Sequence, residues 1–402
     1  MSFKILHTAD WHLGKQLHKV DFLEDMNLFF SWLIVTIQAE KIDLLLMSGD
    51  LFDQANPSQQ ALNQYYNFLK TLIPLNCKVI ITGGNHDSPQ VINAPKELLN
   101  LLDVSVIGGS PENIADLFIE VKKGNEKLIV AAVPYLRDRD IRQAFAGETY
   151  ENKVEQMRKG IRDYFLKVNE FYKMNFKNSP LVIMCHLFAK GASVTDSERE
   201  IQIGNQAGVE ASIFGNEVAY VALGHIHRPQ IVENEHIRYS GSPIQLSFSE
   251  KKDEKQVVLV EISNKLEKIQ LLKIPIFRKL ILLTGTLHEV ETKIENYQSD
   301  SQLTDLIELI IEEENENYET ILGLERLLSM ETDERFKIVK GKIEFKNKIK
   351  GAGSFLSKED DLGSFQAIDL FKKRIEMDES IDDAQELILA FKEIMENLDE
   401  KN

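Results

Sequence analysis

Cysteine is scarce. The 402 residues hold two, Cys77 and Cys185, in or beside apolar runs and without metal-type spacing, so a disulfide framework is excluded and both read as small buried hydrophobes. Long apolar runs are missing as well: none approaches the roughly 20 residues that span a bilayer. The N-terminal MSFKILHTADWH sets Asp10 and His12 where a leader would need its apolar stretch, which points to the cytoplasm. A GxxxxGK[ST] phosphate loop is absent, which excludes ATP hydrolysis by that route. Positive charge is in short supply too. With 47 Lys and Arg against 64 Asp and Glu, the net charge is -17, the wrong sign for a surface that wraps nucleic acid unaided by displacing counterions from phosphates. If DNA is the substrate, local positive patches, bound cations or a partner must reverse the field. Internal repeats and a basic-aromatic pattern for reading bases are also lacking, so strong sequence specificity is not expected.

What is present is a large supply of core. Hydrophobic residues make up 43% of the chain, enough for more than one core and for two or three parts. FKILHTAD, IDLLLMSGD, KVIITGGNHD, KLIVAAVPY, LVIMCHLF, AYVALGHIH, IRYSGSP and KQVVLVEI read as strands, and DFLEDMNLFFSWLIVTIQAEK and SQQALNQYYNFLKTLI carry apolar residues at helical spacing. The class is α/β, with helices covering a sheet over residues 1–272. Pro275 punctuates the start of a second region, 273–350, with a strand, helix, strand, helix, strand reading that gives a small α+β domain. Residues 351–364, rich in Gly, Ser and charge, form a linker by composition. The tail, 365–402, carries two amphipathic patterns, FQAIDLFKKRIEM and DDAQELILAFKEIMENL, and is too short to form a core alone. It must dock, either back on this chain or on a partner helix.

Five of the strand-like runs deliver metal-competent side chains just past their last apolar residue: Asp10 and His12, Asp50, Asn85 and His86, His186, and His225 with His227. Ligands collect at the carboxyl ends of strands in open α/β sheets, so these ends can converge although the residues are far apart in sequence. A two-residue spacing in Asp10/His12 and His225/His227 directs each pair to one side of an extended segment, and glycines at 49, 83, 84 and 224 allow sharp turns beside them. Singly, such residues are more often ordinary core or turn residues. Five of the nine histidines at these ends change that balance, leaving His7, His18, His236 and His288 for other roles.

Imidazole, carboxylate and amide without thiolate suit a divalent first-row cation such as manganese. The ligand count fits two ions, with Asp50 bridging, Asp10, His12 and His227 completing one shell and Asn85, His186 and His225 the other. Two such cations clamp a phosphoryl group and stabilise the attacking and leaving oxygens of an in-line displacement, so the reaction class is phosphoester hydrolysis. His86 is then available to stabilise the transition state and donate a proton to the leaving oxygen. Asp87 reads as a turn or helix-start residue. Asp53 either orients His86 or a water, or is a surface carboxylate in the loop LFDQANPS.

As a set, DWH at 10–12, GD at 49–50, GNHD at 84–87, His186 and GHIH at 224–227 resemble the calcineurin-like metallophosphoesterases. The stretches ILHTADWHLGK, SGDLFD, GNHDSP, AVPYLRDRDIR, HLFAKGASVTDSERE, YVALGHIHRPQ and RYSGSPIQLSFSE are similar to those of a nuclease branch of that family. The resemblance implies a four-layer αββα sandwich with a small capping domain, a bound manganese pair, and exonuclease and endonuclease action on DNA ends and hairpins in repair, recombination and replication. It further implies that residues 365–402 are a helix-loop-helix arm holding the coiled-coil base of an ATPase partner, and that a homodimer forms through FLEDMNLFFSWL and SQQALNQYYNFL.

Lysines alternate near the end of the second region. Lys340, Lys342, Lys346, Lys348 and Lys350 fall on one face of a strand, broken by Glu344. They are either contacts to DNA phosphates or a solvated edge guarded against aggregation. Two alternatives to a DNA nuclease are a phosphatase or phosphodiesterase for small substrates, which would leave duplex DNA intact, and a non-catalytic scaffold on the same fold, whose mark would be lost ligands.

Overall fold

Apolar runs without polar alternation recur from Phe3 to Ile262, and in a computed structural model of the chain they form two six-stranded sheets. The structure describes residues 2–142, 148–195, 197–198, 201, 208–315 and 317–346, with Leu387, Ile388 and Phe391. The linker 351–364, Lys348, Lys350 and, apart from those three residues, the C-terminal arm 365–402 lie outside the described residues. The chain lays down β1 (Phe3–Thr8), β2 (Leu44–Ser48), β3 (Lys78–Thr82) and β4 (Val104–Ile107). It crosses to a second sheet with β5 (Phe118–Lys123), β6 (Glu126–Ala132), β7 (Leu181–His186), β8 (Val218–Gly224), β9 (Gln230–Val232) and β10 (Asn234–Tyr239). It returns with β11 (Gln256–Ile262) and β12 (Leu266–Lys273) to finish the first. The orders are β12-β11-β1-β2-β3-β4 and β9-β10-β8-β7-β6-β5. The central pairs are parallel, β1 with β2, β2 with β3, β6 with β7, and β7 with β8, while β11 joins β1 antiparallel and β5 forms an antiparallel edge on β6.

Parallel strands buried on both faces explain why these runs are apolar throughout. In β2 every residue is buried. Alternate side chains go to different layers. Ile5, Leu44, Leu46 and Ile80 join a core shared with β6, β7 and β8 of the second sheet and with Ile161, Phe165 and Val168 of helix α3 (Tyr150–Asn175). Leu6, Leu45, Met47, Val79 and Ile81 face the other way, against helices α1 (Leu23–Glu40) and α2 (Gln59–Leu72). The layers are therefore helix, sheet, sheet, helix, in agreement with the αββα sandwich expected above. Trp11 seats the outer core: its ring meets Phe30 at 5.0 Å and Phe68 at 5.2 Å, both edge-on, the preferred aromatic geometry.

His7 ties the two sheets together. Its Nδ1 lies 2.9 Å from the Tyr220 hydroxyl and its Nε2 3.2 Å from the Leu223 carbonyl, and burial lowers its pKa to about 3. Glycine permits the close approach elsewhere. A Cβ on Gly224 would overlap the Ser48 carbonyl oxygen, so glycine is what lets the end of β8 meet the end of β2.

The chain divides into two compact units. The first contains residues 1–282, 297–308 and 331–340; the second contains 283–296, 309–330 and 341 onward. Strands β13 (Leu280–Gly285), β14 (Asp305–Glu313) and β15 (Phe336–Phe345) pair in that order as a three-stranded sheet. The second unit carries helices α4 (Leu287–Glu295) and α5 (Tyr318–Leu328). Thr286 and Glu289 form a capping box that starts α4. The strand-helix-strand-helix-strand sequence read from residues 273–350 is present.

Candidate metal centre

The loops that follow β1, β2, β3, β7 and β8 meet at one end of the sandwich, within the first unit. Backbone bonds stitch the first two together: Asp10 N donates to Gly49 O, His12 N to Asp50 O and Leu13 N to Leu51 O, each at 3.0 Å. Asp10, His12, Asp50 and His225 all take positive φ, between 46° and 102°. For a non-glycine residue this costs on the order of 1–3 kcal/mol, and such strain collects at functional sites. Here it aims four side chains inward.

Asp50 stands in the middle. Its Oδ2 is 3.4 Å from His186 Nε2, 3.6 Å from His12 Nε2 and 4.0 Å from His86 Nε2, and its Oδ1 accepts the His86 backbone N–H at 2.9 Å. Asn85 Oδ1 lies 2.9 Å from His186 Nε2, whose Nδ1 is 3.0 Å from the Ser48 carbonyl. Asp10 Oδ1 accepts from the His225 backbone N–H at 2.8 Å. His12 Nε2 faces His227 Nε2 at 3.0 Å. All seven predicted ligand residues and His86 are brought together. Asp10, His12, Asp50, His186, His225, His227 and His86 are buried.

Burial and crowding of like groups shape the electrostatics of the site. Burial raises the Asp10 carboxyl to about 7 despite the rings of His186 and His227. His186 goes to about 9, because the Asp50 and Asp10 carboxylates outweigh its burial. Burial and the neighbouring imidazoles drive His225 well down. Asp10 Oδ2 and His225 Nε2 have no hydrogen-bond partner although both are buried, an expensive condition in a protein interior. One ligand atom from each of Asp10, His12 and Asp50 falls within 4.8 Å of the others, and the same holds for His12, Asp53 and His86. A divalent cation satisfies such orphaned oxygens and nitrogens, so the residues present fit one.

Asp53 turns out not to be a surface carboxylate. It is 8% exposed, with Oδ1 3.3 Å from His12 Nδ1 and 3.2 Å from Lys15 Nζ, while its backbone carbonyl lies 2.7 Å from His86 Nδ1. Beside it opens a polar cleft of about 510 Å³, lined in part by Lys15, Gln54, Asn56, Ser58 and Gln60. Asp87 is a turn staple. Its carboxylate accepts the backbone N–H groups of Leu51, Phe52 and Gly84 at 2.8–3.0 Å. His18 is exposed and outside the cluster, with its ring 6.2 Å from that of Phe248. Lys340 and Lys342 are exposed in β15 and ion-paired, Lys340 with Glu308 at 2.6 Å and Lys342 with Glu344 at 2.5 Å; Lys346, just past the strand, is exposed.

The residues behind His227 were not anticipated. Ser197 Oγ lies 2.7 Å from its Nδ1, Glu250 Oε1 is 3.3 Å from the same nitrogen, and Glu198 accepts its backbone N–H at 2.8 Å. All three lie inside HLFAKGASVTDSERE and RYSGSPIQLSFSE, two of the stretches similar to the nuclease branch, but no fixed spacing links them to GHIH and their residue types alone mark no role.

Residues 3–229 match the family described as calcineurin-like phosphoesterase. The chain is 33% identical over 303 residues to the SbcD subunit of the nuclease SbcCD from Escherichia coli (strain K12), covering 74% of this chain and 75% of that one. It is 33% identical over 266 residues to the SbcD protein of Bacillus subtilis (strain 168), covering 64% and 66% respectively. The chain thus belongs to the calcineurin-like phosphoesterases and, within them, to the SbcD family. Divalent metals are the cofactors of this phosphoesterase class. Among the described residues, no helix is long and apolar enough to cross a membrane.

Proposed function

We propose that this chain is a manganese-dependent DNA nuclease, the hydrolytic subunit of an ATP-driven complex of the SbcCD kind. The observation that carries the reading is the convergence of the seven candidate ligand residues, Asp50 among them, with His86 beside them. Asp10, His12 and His227 would hold one cation, Asn85, His186 and His225 the other, and Asp50 would bridge. When bound, such a pair supplies Lewis-acid stabilisation of charge on a phosphodiester. His86 donates the proton to the leaving oxygen. Its Nδ1 sits against the Asp53 carbonyl, which leaves Nε2 on the side of Asp50. Asp53 presents its carboxylate to His12 Nδ1 at 3.3 Å, placed to orient that ring.

The finer assignments follow the same reading. Action on duplex ends as an exonuclease and on hairpins or single strands as an endonuclease would serve repair, recombination and replication in the cytoplasm. Residues 1–272 form the nuclease domain and 273–350 a DNA-capping domain. Residues 365–402 hold the coiled-coil ATPase, and a homodimer forms through the nuclease domain. Lys340, Lys342, Lys346, Lys348 and Lys350 are the candidates for phosphate contact; the first two would exchange carboxylate partners for phosphate oxygens.

The test is degradation of end-labelled linear duplex DNA in manganese, with and without the ATPase partner. Shortening of the labelled duplex supports the nuclease. Hydrolysis of a small phosphodiester while duplex and hairpin DNA stay intact under both conditions would replace it with a phosphodiesterase for small substrates.

A further inference from the structure

Glu250 is fully buried and has no part in the set of ligands just described. Its Oε2 accepts from Lys255 Nζ and from the Leu246 backbone N–H at 3.2 Å. Lys255, also buried, reaches Ser242 Oγ at 2.8 Å and the His227 carbonyl at 3.0 Å. The other oxygen, Oε1, faces His227. Between the two stands Ser197, whose hydroxyl donates to Glu250 and therefore offers His227 Nδ1 only a lone pair, at 2.7 Å. The proton of a neutral His227 must then sit on Nδ1, and Nε2 is left as an acceptor directed at the cluster. Glu198 adds a second hold on the same residue through the His227 backbone N–H, and its other oxygen accepts from Thr195.

We infer that Glu250 and Ser197 form a carboxylate–hydroxyl–imidazole relay that fixes the tautomer and ring orientation of His227, making both of them positioning residues for one cation of the pair. The inference rests on the metal-centre reading above. A ligating histidine gains basicity and orientation from a carboxylate on its distal nitrogen, and losing such a partner costs about 10–100-fold in metal affinity. In this chain a serine hydroxyl is inserted into that link. The ligand's tautomer is thereby made to depend on Ser197, and nearby Ser193 is tied to Gln230 at the start of β9. Lys255 supplies the counter-charge beside Glu250 in its buried position.

Glu250 could owe its place to Lys255 alone, as the counter-ion of a buried lysine, and the variants are chosen to separate that role from the relay. Ser197→Ala leaves the Glu250–Lys255 pair whole and breaks the relay. Ser197→Thr keeps the hydroxyl. Glu250→Gln combined with Lys255→Met removes both charges together, so that no uncompensated lysine is buried. Free Mn2+ is followed by electron paramagnetic resonance as each full-length protein is titrated, and melting is followed in chelator.

The expected result is a loss of about 10–100-fold in affinity at one of two manganese sites for Ser197→Ala and for the double variant. The second site is unchanged, Ser197→Thr restores the first, and the metal-free melting temperature of Ser197→Ala matches the parent. Wild-type affinities at both sites in Ser197→Ala and the double variant would overturn the inference. So would a loss that Ser197→Thr fails to restore, or one matched by a fall in metal-free melting. A parent protein that binds no manganese would instead sink the metal reading, and the relay with it.

Discussion

His12 Nε2 and His227 Nε2 stand 3.0 Å apart although 215 residues separate them in the chain. The other nitrogen of the His12 ring lies 3.3 Å from the Asp53 carboxylate, and that of His227 lies 2.7 Å from the Ser197 hydroxyl. With neither Nε2 protonated, two nitrogen lone pairs would face each other there, an arrangement suited to a shared cation. His186 Nε2 meets two acceptors, Asn85 Oδ1 at 2.9 Å and Asp50 Oδ2 at 3.4 Å, and the neighbouring carboxylates favour the protonated ring.

The Asp87 carboxylate gathers three backbone donors, from Leu51, Phe52 and Gly84, and so ties the loop after β2 to the loop after β3. Asp87→Asn keeps the shape but turns an amide NH2 toward a backbone N–H. A cost of about 1–3 kcal/mol is expected from the unsatisfied buried donors, read as a lower urea midpoint at unchanged slope. An unchanged midpoint would show that the staple contributes nothing to stability.

Gly224 ends β8 against the Ser48 carbonyl, and the same added Cβ would also press on His186. Gly224→Ala must shift backbone, since neither neighbour is the far end of a flexible side chain. Destabilisation of about 1–3 kcal/mol or more is expected, with manganese binding weakened in the folded fraction because the displaced residues carry His186 and His225. The check is chemical denaturation together with metal content. Alanine tolerated on both counts would contradict the close packing of the two strand ends.

Neither cysteine should act as a nucleophile or redox centre. Burial pushes the Cys77 thiol up to about 12 and drives that of Cys185 well above its ordinary range. At pH 8 both stay protonated, so a disulfide-exchange reagent should leave the native protein untouched and titrate two thiols once guanidinium unfolds it. Rapid labelling of either thiol in the native state would contradict the packing around β3 or β7.

Most of the metal centre was legible in the sequence because β1, β2, β3, β7 and β8 are buried on both faces. Such strands show as unbroken apolar runs, and the polar residues immediately after them stand out by contrast. Helix α3 and the edge strands β5 and β12 left no comparable trace. In FIEVKK and LEKIQLLK lysine and glutamate occupy solvent-facing positions, and the apolar positions of α3 are spread thinly over 26 residues. Asp53 reads as a loop carboxylate from its neighbours in sequence, and only the fold of its loop toward His12 and Lys15 buries it. Ser197 and Glu250 fall inside stretches that resemble the nuclease branch, yet their role beside His227 is not legible there. Their partner, His227, is 30 residues from one and 23 from the other, and nothing in local spacing encodes that contact.

The central claim is that two divalent cations at this site hydrolyse phosphodiesters and that His86 contributes protons without holding metal. Its most direct test pairs a manganese count per chain with the hydrolysis rate of a phosphodiester, for the parent, His86→Gln and Asp50→Ala. The account predicts two ions in the parent and in His86→Gln, depleted metal in Asp50→Ala, and a rate about 10²–10⁴-fold lower in His86→Gln, the range expected for loss of a positioned acid. Full activity in Asp50→Ala, or loss of metal in His86→Gln, would contradict it.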